Sequence, residues 1–555
     1  MKSEKTKKNK SQSNDLGITL VKKNGQESHG NTNKLISPNI QPTNVEGHYP
    51  RFMLPGAVNL VHEDRREMSV ILESFLSQLD RIGIQFNEIN NLIREIITST
   101  EVFRRLKGIS QIELLPFAFK QVPWYTRYTH SCLTYVFADH ILDRLNPQIN
   151  LSAIELEAAK LCFLIHDLGH GPFSHLTERA FKRPKGRGGK IPKEYDHEYW
   201  TMILLNELQD NLFDTHTNPY IPKNIVEVLK GTLKKSKEYN LEIFSKALSM
   251  ISKSSNFIVS QLLSSQIDLD RLSNYLGDRL IVSEVLEEEK KDVKEEGTIK
   301  HLSSYNDTVE NIKRIMNNLV IIDKDTKGNK CEKYLAIRED ALTPIIHFFM
   351  DRHIIRYYLL KHYRREAANN ILEKILLRAQ YLVKNKDMES LGRTDLLVMT
   401  WLNGSHTESE FIEMDDQLVF NQIRKWAKNA TDPILKDLTL RFTAHNFFST
   451  YSCEKNGKPE KPDDKFLDSI REKVKHSLKL KDIPKDLIED YYFTYDETTS
   501  EPYHSNKDEV IIYTSDKKAK KLSDYIKETK HELGLMLLNT QFERYLIIVP
   551  SEIEL

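Results

Sequence analysis

Apolar residues return every three to four positions through most of this chain. Between Met68 and Leu106 they fall at Val70, Leu72, Phe75, Leu76 and Leu79, then at Ile89, Leu92, Ile93, Ile96 and Ile97, which predicts two amphipathic helices parted at Gly83. Pro123 ends one element, and a helix carrying His130 near its start is expected to run to about Leu145. Further helices are predicted over Glu155–Leu168, Tyr199–Asn211, Ile225–Lys234 and Leu241–Ser252, along Ala341–Val383, and over Leu396–Leu402, Leu418–Ala427 and Pro433–Phe447. Two short apolar runs, Val320–Asp323 and Tyr334–Ile337, flank a turn at Gly328-Asn329 and predict a β-hairpin. Near the end, Val510–Tyr513 and Tyr545–Val549 surround a helix expected over Leu522–Gly534, which suggests a small α+β subdomain. Residues 1–48 are rich in Lys, Asn, Ser, Gln and Thr and hold too few apolar groups to offset the entropy of ordering, so a disordered tail is expected, with ordered structure from about Tyr49. The fold class read from these patterns is mainly α.

One apolar run ends unusually. Leu161–Glu178 places His166, His170 and His175 beside Asp167 and Glu178. An adjacent His166-Asp167 pair can set one imidazole nitrogen and one carboxylate oxygen on a single cation, held rigidly by Leu161–Ile165. Gly169, Gly171 and Pro172 break the helix there and let backbone approach a ligand closely. On the helical turn that follows, His175 and Glu178 are three apart and share a face, so the carboxylate can orient the imidazole as a general acid requires. Another acidic group, Asp268 and Asp270, flanks Leu269. A basic, glycine-rich loop over 181–193 and a stripe of Arg352, Arg356, Lys361, His362, Arg364 and Arg365 suit phosphates or a nucleic-acid backbone, or simply solvated surface. A charged run over 284–300 reads as a solvated insertion.

Charge and cysteine content narrow the classes. Lys+Arg and Asp+Glu both number 80, so no overall basic field makes nucleic-acid binding the default. Cys132, Cys162, Cys331 and Cys453 lie far apart without a CxxC, which argues against a thiolate zinc site or a disulfide framework. With neither an apolar run of membrane-spanning length nor a signal-peptide apolar region, the chain is expected to be a soluble cytoplasmic protein that does not enter membranes.

His130, His166-Asp167 and Asp270 give the order H, HD, D. Around them stand Phe103-Arg-Arg-Leu, Gln111, Thr126-Arg-Tyr-Thr-His-Ser131, His166-Asp-Leu-Gly-His-Gly-Pro-Phe-Ser-His175, Ile267-Asp-Leu-Asp-Arg271 and Thr431-Asp-Pro-Ile-Leu-Lys-Asp437. Through these words the chain resembles the HD-domain dNTP triphosphohydrolases, without a recognisable sterile-alpha-motif domain. The resemblance implies an HD-domain helical core within 49–385 and a C-terminal helical and α+β region over 386–555. It implies His130, His166, Asp167 and Asp270 as ligands of a divalent metal (Mg, Mn or Fe), and His175 with Glu178 as the proton donor and its partner. By the same resemblance His170 and His197 lie near the α-phosphate, Arg127, Arg271 and Arg352 hold phosphates, Gln111 and Asp278 read the sugar 3′-hydroxyl, and His362 belongs to the substrate pocket. The implied reaction is hydrolysis of a dNTP to deoxynucleoside and triphosphate, by a homo-oligomer that an activating nucleotide can switch on. The chain departs from the family pattern at Ser273 and Asn274, where Asp and Tyr are expected, and at Leu360, where the family places an aromatic. Two other readings stay open: an HD phosphodiesterase or nuclease on a cyclic nucleotide, alarmone or single-stranded nucleic acid, and a nucleotide-sensing binding module.

Overall fold

A computed structural model describes residues 12–13, 19–22, 100–119, 122, 125–182, 190–211, 237–252, 257–289, 302–324, 332–478, 483–506 and 508–555. The part before Thr100 of the helical region expected between Met68 and Leu106, the helix expected over Ile225–Lys234, most of the basic loop, most of the charged insertion and the hairpin's turn lie outside these residues. The described chain is mainly α.

Eight helices position the site: α1 (Arg127–Ile149), α2 (Ala153–Ile165), α3 (His175–Phe181), α4 (His197–Asn211), α5 (Leu269–Glu289), α6 (Leu342–Ile354), α7 (Tyr363–Lys384) and α8 (Asp416–Asn429). Local signals start them. Thr126 caps α1 by accepting the Thr129 N–H, and Ser152 with Glu155 forms a reciprocal capping box at α2. From Ala158 to Ile165 every residue of α2 is buried, because α1 and Lys237–Ile251 both pack on it. Each large apolar side chain fully withdrawn there, such as Phe163 or Ile165, contributes about 1.5–3 kcal/mol of transfer free energy.

The long helical stretch predicted over Ala341–Val383 is interrupted. α6 passes into one π-helical segment at Ile355–Leu360, and α7 begins afresh with His362 as its N-cap. Period alone cannot see such a break, since the apolar spacing continues across it. Likewise the predicted Leu522–Gly534 helix divides at Lys530, whose φ is +52°, into Leu522–Thr529 and Glu532–Asn539. Gly534 permits the fold-back, because a Cβ on it would lie 2.8 Å from the Ile526 side chain.

Among the described residues ten strands make two sheets. The hairpin is present as β3 (Leu319–Lys324) and β4 (Glu332–Arg338), antiparallel with Val320 opposite Ala336. Two strands from the C-terminal region, β8 (Ile511–Tyr513) and β9 (Ala519–Lys521), complete that sheet, β8 running parallel to β4. The second sheet has the order β1 (Gln12–Ser13), β2 (Thr19–Lys22), β5 (Ser449–Lys455), β10 (Phe542–Val549) and β7 (Thr494–Ser500), with β6 (Lys458–Pro459) beside β5. Strand β2 corrects the expected disordered tail: Leu20 pairs with Cys453 and is buried. Thr-Leu-Val-Lys is a β-favouring word, and tertiary pairing supplies the burial that composition alone denied it.

The C-terminal strands therefore do not form a sheet of their own. Tyr503, Val510, Ile512, Leu522 and Leu537 join the core built on α1, α2 and α5. In the other direction Phe173, Leu176, Phe181 and Tyr195 belong to the core built on α7 and α8. The turn between the two halves of the histidine-rich stretch thus sits where the two cores meet.

Candidate metal and proton-transfer site

Two clusters of imidazole and carboxylate form where α1, α2, α3, α4 and α5 converge. In the first, His130 is the fourth residue of α1 and fully buried, while His166 and Asp167 follow directly on the end of α2. Asp270 is the second residue of α5. His130 Nε2 lies 2.8 Å from Asp270 Oδ1 and 3.6 Å from Asp167 Oδ2. His166 Nε2 lies 3.6 Å from Asp167 Oδ1 and 3.6 Å from Asp270 Oδ1. His166 Nδ1 is 3.0 Å from the Phe163 carbonyl, which places the proton on Nδ1 and leaves Nε2 as an acceptor.

Burial works against charge on these groups, and their mutual field overrides it. His166 is pushed up to about 9: burial opposes this, but Asp167 and Asp270 outweigh it. Asp270 is held well below the usual carboxylate range, burial being outweighed by His130 and His166. Asp167 is also held low, with His166 and Arg127 overcoming burial. A field that draws a proton onto His166 draws a cation equally well. The Nε2 atoms of His130 and His166 are buried and make no hydrogen bond, which is how ligand atoms facing a common ion look. Two imidazoles and two carboxylates fit an octahedral divalent ion with positions left for water and phosphate oxygens.

The second cluster is built differently. Glu178 of α3 accepts from both neighbouring rings: His175 Nδ1 is 2.8 Å from Oε2, and His197 Nδ1 is 2.5 Å from Oε1. Burial favours the neutral carboxyl, but those two bonds hold Glu178 far below its usual range. His197 is raised, Glu178 prevailing over burial. His170 stacks on His197 at 4.2 Å between centroids, and its Nε2 is 3.5 Å from Asp167 Oδ1, so it stands between the clusters. Burial, with Arg127 and His197, brings His170 well below its usual value.

A strained turn joins the clusters. Phe173 and Ser174 both have positive φ, +57° and +53°, which non-glycine residues adopt only when their surroundings enforce it. Asp416 at the start of α8 supplies part of that enforcement, its two carboxylate oxygens accepting the Phe173 N–H at 2.6 Å and the Ser110 N–H at 2.9 Å. Ser174 Oγ donates to the Ser110 carbonyl at 2.6 Å and accepts from Arg127 Nε at 2.9 Å, and Arg127 Nη1 reaches Asp167 Oδ2 at 2.6 Å. Arg105 holds the other side of the loop by donating to the carbonyls of Leu168 and His170 at 3.2 and 2.6 Å. Gly169 serves a packing purpose here: a Cβ on it would sit 2.1 Å from the Thr201 backbone nitrogen and 2.2 Å from the His197 carbonyl. Its close approach is to α4, which carries His197, where the sequence pointed to a ligand.

Residues 127–254 match the family model for the HD domain, and that span contains His130, His166, Asp167, His170, His175, Glu178 and His197. The chain carries an HD domain. Beyond this span, the chain is 24% identical over 363 residues to the uncharacterized protein YwfO of Bacillus subtilis, covering 65% of this chain and 68% of that one. It is 30% identical over 127 residues to the deoxynucleoside triphosphate triphosphohydrolase SAMHD1 homolog of Dictyostelium discoideum, covering 22% of this chain and 23% of that protein. In three dimensions it is similar to a phosphohydrolase from Bacteroides thetaiotaomicron, with a TM-score of 0.59, 19% identity, and coverage of 84% of this chain and 96% of that one. That likeness shows a shared fold extending far past the HD domain.

The remaining residues expected around the HD domain are placed unequally. Arg127 is spent on Asp167 and Ser174. Arg271 donates to the Ser265 carbonyl and lies 3.6 Å from Asp268. Arg352 is brought down to about 10 by burial and by Arg271 close by. Asp278, two turns along α5 from Asp270, is pushed up to about 7, mainly by burial, with Arg352 opposing and Asp270 adding. His362 is engaged in the fold: its Nδ1 accepts the Arg364 N–H, and its ring packs edge-on to Phe119 at 4.7 Å. Gln111 donates to Asn274 at 3.0 Å. Asp416 and Arg105 were not singled out as site residues from sequence, because an Asp in the first turn of a helix and an Arg in an amphipathic segment have ordinary uses.

Proposed function

We propose that this protein is a metal-dependent deoxynucleoside triphosphate triphosphohydrolase, releasing deoxynucleoside and inorganic triphosphate. The observation that carries this reading is the pairing of a buried cluster, in which Asp167 and Asp270 face the Nε2 atoms of His130 and His166, with a separate, carboxylate-oriented histidine, joined through Asp167 and His170. The triphosphohydrolase relatives over the HD domain support the choice of substrate.

His130, His166, Asp167 and Asp270 would hold the divalent ion, which when bound supplies Lewis acidity at the α-phosphate and a more acidic water. Arg127 keeps Asp167 ionised and aimed, and the Phe163 carbonyl keeps His166 in the ligating tautomer. His175 accepts its orientation from Glu178 through Nδ1 and so presents Nε2, from which a proton passes to the departing 5′-oxygen as the P–O bond breaks. Its half-exposed side chain is open to a substrate, whereas His170, neutral and buried, lines the phosphate side. Arg271 and Arg352 provide positive charge along the triphosphate. A homo-oligomer and an activating nucleotide belong to the same reading.

The test is incubation of the full chain with Mg²⁺ or Mn²⁺ and single or mixed dNTPs, NTPs, cyclic nucleotides and oligonucleotides, with products resolved by chromatography. Deoxynucleoside plus triphosphate is the expected outcome. Mononucleotides released from oligonucleotides, or a cyclic nucleotide opened, would replace this reading with a nuclease or phosphodiesterase.

A further inference from the structure

Asn274 stands where the family pattern carries a tyrosine, and the structure gives it a specific task. It lies four residues after Asp270 on the same face of α5. Its Nδ2 donates to Asp270 Oδ1 at 3.0 Å, and its Oδ1 accepts from Gln111 Nε2 at 3.0 Å. The direction of this chain is forced. A carboxylate has only acceptors to offer, so the Asn274 amide must meet Asp270 with its nitrogen. That turns the Asn274 oxygen towards Gln111, which must answer with its own nitrogen. The Gln111 oxygen is left over, buried and without a hydrogen-bond partner.

A buried acceptor left unpaired is costly unless a ligand completes it. Resting on the triphosphohydrolase reading, we propose that Asn274 is a positioning and specificity-determining residue: it passes the polarity of Asp270 to Gln111, so that Gln111 offers a bare acceptor to a hydroxyl donor on the sugar of the bound nucleotide. Metal centre and sugar pocket are thereby coupled through one amide. An ordinary structural asparagine would not require Gln111 to keep one orientation. This one does, because with its nitrogen outward Gln111 would turn an acceptor on the Asn274 oxygen.

The experiment compares a dNTP with the matching 2′,3′-dideoxynucleotide on the full-length chain with Mn²⁺, by kcat/KM and by calorimetric affinity. Losing the hydroxyl should cost the wild type roughly tenfold to a hundredfold, the range expected for one buried hydrogen bond. In Asn274→Leu, which keeps the shape without the polarity, and in Asn274→Asp, which sets an acceptor against Asp270, that ratio should collapse towards one. The collapse should come from a larger loss for the dNTP than for the dideoxynucleotide, whatever loss the two share through Asp270. A general packing defect would lower both substrates together and leave the ratio in place. A discrimination ratio unchanged within about twofold in either folded variant overturns the proposal, twofold being well below one hydrogen bond. Should the wild type hydrolyse neither nucleotide, the functional reading falls, and the two affinities still decide the relay.

Discussion

The two histidine clusters use the same side chains to opposite ends. Around His166 the carboxylates face imidazole Nε2 atoms that have no hydrogen bond, and the ring of His130 is wholly buried. Around Glu178 each carboxylate oxygen accepts from an Nδ1 atom, Oε1 also from the His197 N–H, and the His175 side chain is 51% exposed. Composition does not distinguish the two clusters, either of which could hold a metal ion; the proposed division into ion binding and proton transfer rests on which nitrogen is already engaged. Backbone decides that engagement in the first cluster, through the Phe163 carbonyl, and a neighbouring carboxylate decides it in the second.

The comparison breaks most visibly at its ligands. His166→Ala or Asp167→Ala should abolish triphosphate release and divalent-ion binding together, read by product chromatography and by calorimetry with Mn²⁺, while circular dichroism stays that of the wild type. Chelation of the wild type should remove activity that Mn²⁺ restores. Retained turnover in a variant carrying both His166→Ala and Asp167→Ala would show that the first cluster is not the metal centre.

His175→Ala should lower kcat by roughly 10²–10⁴-fold, the usual contribution of a positioned general acid, and leave Mn²⁺ affinity unchanged. A loss of metal affinity instead would mean that both clusters bind ions.

Next comes the brace from outside the matched HD domain. Asp416→Ala leaves the Phe173 and Ser110 N–H groups without their acceptor, at about 1–3 kcal/mol for each buried group, so a lowered Tm is expected. Because the released turn carries Ser174 and through it Arg127, kcat should fall with KM nearly unchanged, and Asp416→Asn should recover part of both.

The smallest effect sharpens the second cluster by pH. His197 is raised above its ordinary 6.5 by Glu178, so its share of stability is fully present below 6.5 and is lost as pH rises through the raised value. Glu178 is lowered from 4.5, so its share is present above 4.5 and is lost as pH falls through the depressed value. The Tm difference between wild type and Glu178→Gln should therefore be greatest between about pH 4.5 and 6.5 and shrink on either side. A difference independent of pH would mean that the pair is held by packing rather than by charge.

Much of the site was legible because its words are local. His166-Asp167 and the His175/Glu178 spacing fall within one stretch, and helical period placed them at a helix end and on one turn. The helices that carry His130 and lead into His166 were expected, although α1 runs on to Ile149 where an end near Leu145 was read, and α2 spans Ala153–Ile165 where Glu155–Leu168 was read. The break between α6 and α7 was not legible, since apolar spacing runs through it, nor was β2, whose four residues become a strand only against β5. The C-terminal strands were recognised as strands, but their division between two sheets depends on partners far away in the chain, Ser452 opposite Leu546 and Ile337 opposite Ile512.

What the sequence determined by itself, then, is the set of chemical groups and, for two of them, the local geometry that presents them: an HD pair at the end of an apolar helix, a histidine with its carboxylate one turn along, and the acidic residues Asp268 and Asp270 flanking Leu269. Hydrophobic period and capping act over a few residues, so they can be read in order. What only the tertiary structure decided is which atom of each group is free. Asp416 on Phe173, Ser174 on Arg127, and Asn274 between Asp270 and Gln111 join residues brought together by packing two cores around one turn, and hydrogen-bond direction is settled only once those partners meet.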